Sequence, residues 1–91
     1  MSRSMQDAQT RKILSQFGDR VREARRDKGF SQEVLAERSG LHRTYIGTVE
    51  RGERNPALVN LVRIADALEV DVSSLMRGLT LGRGLRRGVR K

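Results

Sequence analysis

Between Ile13 and Met76 the apolar residues recur at three- and four-residue intervals, and no stretch alternates as a half-buried strand requires. That pattern restricts the chain to helices packed on helices. The sequence contains no cysteine, which removes disulfides and thiolate metal sites, so the helices must be held by burial alone. A length of 91 residues suits one domain with a modest core. The periodic part, 13–77, is bounded by an N-terminal extension, 1–12, expected to be partly disordered, and by a tail, 78–91, rich in glycine and arginine.

Ile13, Leu14, Phe17, Val21 and Ala24 form one face of a first helix, which ends before Lys28-Gly29. Gly18 lies inside it and weakens it by about 1 kcal/mol relative to alanine. Ser31 is an N-cap for a second helix running to Ser39-Gly40. A third helix covers His42 to Arg51, with Ile46 and Val49 inward and Gly52 as its stop. A fourth starts at Asn55-Pro56, with Pro56 near the first turn, and carries Leu58, Leu61, Ile64, Ala65 and Leu68. Asp71 to Met76 is a short fifth helix.

The informative stretch is Ser31 to Gly52, SQEVLAERSGLHRTYIGTVERG. Two short helices meet here across a turn. Ala36 is small enough for a close crossing, Gly40 tolerates a positive φ in the turn, and Ile46 and Val49 face the preceding helices. Their spacing of four, six and three residues matches the helix-turn-helix pattern. On these residues the chain resembles the Cro and phage-repressor-like regulators, the XRE type, from about Phe17 to Met76. The stretch GLHRTYIGTVERGERNP is similar to controller proteins of restriction–modification systems.

The resemblance implies an all-α, compact, five-helix domain like that of lambda repressor, followed here by a flexible basic tail. It also implies site residues. Gln32, at the start of the second helix, is implied to hold a backbone phosphate. Arg43, Thr44 and Thr48, with Tyr45, are implied to read bases from the third helix, and Arg51, Arg54 and Asn55 to grip phosphate beyond it. Arg25 is implied to pair with Glu50. Gly47 departs from the pattern, because a side chain often stands there. The chemistry suits these roles. Arginine can donate two hydrogen bonds to one guanine, and threonine offers a hydroxyl or packs its methyl against thymine. Tyr45 has an equal claim to be packing against the second helix.

The function implied is a transcriptional regulator that binds double-stranded DNA as a homodimer on an inverted repeat, since one reading helix covers too few bases. Val72, Leu75 and Met76, with Leu79 and Leu81 beyond, are the expected dimer surface, so Leu75→Glu is expected to give a folded monomer. The alternative is an antitoxin or similar interaction module of the same fold. That reading leaves a toxin, or RNA polymerase, as a further partner.

The net charge of +8 is unevenly placed. Residues 1–76 hold 13 Lys/Arg against 11 Asp/Glu, whereas 77–91 hold six basic residues and no acid. Such an excess favours a polyanion without naming it. Only three aromatic residues, Phe17, Phe30 and Tyr45, are available, which argues against the base-stacking modes of RNA binding. A single histidine, His42, without cysteine makes no metal site, and no cofactor is expected. No nucleophile–base pair or phosphate loop supports an enzyme. No apolar run approaches the roughly 20 residues of a membrane span, and no signal sequence is apparent, so a cytoplasmic, nucleoid-associated protein is expected.

Overall fold

A computed structural model describes residues 2–82, with side chains from residue 8 onward. Five helices follow in order: α1, Ser2–Asp27; α2, Gln32–Ser39; α3, Arg43–Glu50; α4, Leu58–Leu68; and α5, Val72–Met76. Their ends are chemically marked. The Ser31 hydroxyl accepts from the Val34 N–H at 3.1 Å and caps α2, and Gly40 closes α2 at φ 75°. His42 caps α3 through Nδ1, which accepts from the Thr44 N–H at 3.2 Å. Helix α4 begins at Leu58 with Ala57 as its cap, so Pro56 lies just before the first turn. Helix α4 ends on Glu69, which adopts the left-handed φ of 62°. The Lys28 ammonium donates to the Glu69 carboxylate at 2.6 Å and holds its pKa below the ordinary range.

Helix α1 starts at Ser2, within the segment that the sequence sets apart as an N-terminal extension. At the other end, residues 78–82 follow α5 along α1, where Gly78, Thr80, Leu81 and Gly82 face Gln9, Lys12 and Gln16 across a shallow groove. The flexibility expected of the tail concerns, from residue 83 on, a stretch outside the described residues.

The core is built from Phe17 and Val21 of α1, Leu35 and Ala36 of α2, Ile46 and Val49 of α3, Ile64, Ala65 and Leu68 of α4, and Leu75 of α5. Leu75 therefore does not belong to an outer surface: it is 2% exposed. Val72 and Leu79 are half-buried against the same core, and of the residues expected at a dimer surface Met76 and, beyond α5, Leu81 stand exposed. The periodicity of a five-residue helix cannot say which side meets the core when both carry apolar residues.

Gly18 is where α1 and α3 touch. A Cβ built there would lie 2.4 Å from the Val49 carbonyl oxygen and 2.6 Å from that of Glu50. One turn earlier, Ser15 meets Gly52 just beyond α3, where a Cβ would lie 2.9 Å from the Ser15 Cα. Both clashes are with backbone, which cannot swing away. Gly18→Ala should therefore destabilise the fold by about 2 kcal/mol or more, despite the ~1 kcal/mol that alanine contributes to helix propensity. A fall in Tm on the order of 10 °C in a thermal melt would follow. Leu75→Glu should unfold the protein, in place of the folded monomer that the sequence suggests, and circular dichroism would distinguish the two.

Candidate nucleic-acid interface

The α2–α3 unit is fixed to α1 by a buried ion pair. The Arg25 Nε–H donates to Glu50 Oε2 at 2.6 Å and Nη2 donates to Oε1 at 3.0 Å, a bidentate arrangement with side-chain exposures of only 12% and 2%. Arg25 Nη1 also donates to the Phe30 carbonyl at 2.9 Å, which ties in the turn before α2. Two charges removed from water need such geometry, and loss of one leaves the other unpaired. The pairing of Arg25 with Glu50 implied by the resemblance is thus present in the structure.

Gln32 joins this network, its Nε2 donating to Glu50 Oε1 at 3.0 Å. The amide is thereby held at the mouth of a groove between α2 and α3, lined by Gln32, Arg43, Thr44, Gly47 and Arg51. Gly47 is the buried floor beneath these side chains. A Cβ there would lie 3.2 Å from Arg51 Nη1 and 3.7 Å from Gln32 Oε1. The missing side chain gives room for two polar groups to converge on the backbone of α3, a role that composition and periodicity did not reveal.

The other site residues divide by environment. Arg43 and Thr44 are exposed at the start of α3, and Arg51, Arg54 and Asn55 are exposed beyond its end. Thr48 is half-buried, and its hydroxyl donates to the Tyr45 carbonyl at 2.7 Å, leaving oxygen lone pairs as acceptors and the methyl for contact. Tyr45 is also half-buried against the core. Its hydroxyl accepts from Asn60 Nδ2 at 3.0 Å, and Arg54 lies over its ring at 5.0 Å from the centroid. The hydroxyl thus ties α3 to α4, and the ring holds Arg54 by a cation–π contact.

Known proteins share both this sequence and this geometry. The helix-turn-helix family profile matches residues 21–75. The chain belongs to that family. It is 53% identical over 60 residues to the control protein C.SmaI of Serratia marcescens, covering 66% of this chain and 71% of that one. The solved restriction–modification controller C.AhdI of Aeromonas hydrophila is 53% identical, with a TM-score of 0.67 over 68% of this chain and 94% of that one. A third relative, the controller C.Esp1396I, has been solved as a tetramer in complex with its natural 35 base-pair operator. It is 37% identical, with a TM-score of 0.67 over 74% of this chain and 88% of that one. The expected resemblance to restriction–modification controllers is borne out, and the relatives are regulators, not enzymes. Among the described residues no helix is long and apolar enough to cross a membrane.

Two substitutions in this helix-turn-helix should behave oppositely. Glu50→Ala strands the Arg25 guanidinium and should cost about 3–5 kcal/mol in chemical denaturation. Gly47→Ala meets only side-chain ends, Arg51 Nη1 at 3.2 Å and Gln32 Oε1 at an ordinary contact of 3.7 Å, so stability should stay level or rise by up to about 1 kcal/mol.

Proposed function

We propose that this protein is a transcriptional regulator that binds a specific double-stranded DNA site as a homodimer on an inverted repeat. The observation that carries this reading is the groove in which Gln32, Arg43, Thr44 and Arg51 converge at the outer face of α2 and α3. Those side chains pair a base reader with phosphate donors over the span of two short helices. The operator complex of C.Esp1396I supports the same use of the fold.

In this reading Arg43 enters the major groove and donates to the O6 and N7 of a guanine, while Thr44 and the Thr48 methyl contact neighbouring bases. Gln32, Arg51, Arg54 and Asn55 hold phosphates and set the register. Tyr45 acts by positioning: it seats Arg54 and ties the reading helix to α4 through Asn60.

The homodimer requires an apolar surface that the monomer leaves uncovered. Helix α4 supplies one, with Leu58 and Val59 at 70% and 62% exposed and Val62 one turn on at 41%. Met76 is exposed at 39%. We assign the dimer contact to the α4 stripe, with Met76 as the member retained from the expected α5 surface. A charge at position 59 does not touch the core, so Val59→Glu should yield a folded monomer by light scattering. A dimer that persists would exclude the stripe.

Selection of binding sites from random duplex DNA at near-physiological salt tests the central reading. An inverted repeat should be enriched, and Arg43→Ala should lose about 1–3 kcal/mol of discrimination at one base pair in each half-site. Arg54→Ala should weaken all sequences alike and lower the log–log salt slope by about 0.9 for each phosphate it no longer neutralises. If no sequence is enriched, the DNA-regulator reading fails in favour of a partner-dependent antitoxin.

A further inference from the structure

Arg43 does not stand alone at the interface. The Glu33 carboxylate, in the first turn of α2, lies with Oε2 3.9 Å from Arg43 Nε, and both side chains are largely exposed, at 73% and 62%. A guanidinium offers two edges for paired hydrogen bonding, one through Nε and one through its two terminal nitrogens. The carboxylate faces the Nε side, so the terminal Nη1/Nη2 edge is the one directed away from it. Arg51 has a closer carboxylate on the same side, its Nε–H donating to Glu53 Oε2 at 3.1 Å. Two arginines of one surface thus each have a carboxylate on the Nε side, hydrogen-bonded at Arg51 and at ion-pair distance at Arg43.

An acid on a surface that meets a polyanion weakens binding to every duplex. Its presence beside a base-reading arginine has a specific effect, because Arg43 has three possible acceptors. At the right site it meets the O6 and N7 of guanine end-on, without leaving Glu33. Away from that site, a phosphate oxygen is the strongest acceptor that DNA offers, and Glu33 competes for the same positive charge. Specificity is a difference of affinities, and disfavouring the wrong partner raises it as surely as favouring the right one.

We propose that Glu33 is a specificity-determining residue that withholds Arg43 from phosphates on non-cognate DNA while leaving its terminal edge free for guanine. This rests on the DNA-binding reading above. Glu53 plays a different part: Arg51 faces phosphate in any sequence, so Glu53 tunes affinity without altering preference.

The test uses the full-length protein and measures affinity by fluorescence anisotropy for its selected site and for a scrambled duplex. Glu33→Gln should tighten binding to the scrambled duplex about two- to fivefold, the range of an exposed ion pair. Binding to the selected site should change less, so that the ratio of the two affinities falls. Glu53→Gln should tighten both and leave the ratio unchanged. In an Arg43→Ala background, Glu33→Gln should no longer alter the ratio. The proposal is overturned if Glu33→Gln leaves the ratio intact, or if it lowers the ratio equally with and without Arg43. Failure of the underlying reading is separable, because then the unmodified protein itself enriches no site.

Discussion

The backbone of α1 at Gly18 rests almost directly on the carbonyl groups of Val49 and Glu50, and much else depends on that contact. It brings two helix axes closer than any side chain would permit and fixes the height of α3 above the core. Gly52 and Ser15 repeat the approach one turn away, so the C-terminal end of α3 is seated at two points. The Arg25–Glu50 pair then fixes its rotation, and Gln32 inherits its position from the same carboxylate. A groove between two short helices could otherwise open or close with small changes of angle. Here its geometry descends from close packing that has no rotamer to change.

This hierarchy assigns different work to apolar and polar groups. Ile46 and Val49 supply burial and are fully enclosed, but a hydrophobic contact has no direction. Direction comes from hydrogen bonds: the bidentate Arg25–Glu50 contact, the Gln32 amide, and the bond from Asn60 to the Tyr45 hydroxyl. Each ties α3 or the start of α2 to a different neighbour. The exposed arginines therefore extend from a frame whose own polar groups are already engaged.

Much of this was legible in the sequence. The five helices, the Ser31 cap, the Gly40 turn and the inward faces of Ile46 and Val49 follow from periodicity and turn chemistry, which are local signals. The cap provided by His42 and the reach of α1 to Ser2 were less visible, since neither residue type announces its role. Gly18 reads in the sequence only as a helix-weakening residue; its purpose is a contact with residues two helices further along the chain, which no local pattern records. Leu75 illustrates the same limit in reverse. Helix α5 is so short that apolar residues fall on both sides of it, and only the packed neighbours decide which one is covered. Of the expected site residues, Gln32, Arg43, Thr44 and Arg51 line one groove, whereas Tyr45 and Thr48 have engagements with α4 and with their own helix that spacing alone could not supply.

Along α3, the face seated on the core and the outward face occupy opposite sides of the same eight residues. Ile46, Val49 and Glu50 are buried on one side, while Arg43 and Thr44 face outward on the other, around Gly47 and with Arg51 just beyond. Exchanging an outward residue leaves the buried contacts of Ile46, Val49 and Glu50 in place, so in a duplicated copy of such a chain the outward face is free to diverge while the core stays the same.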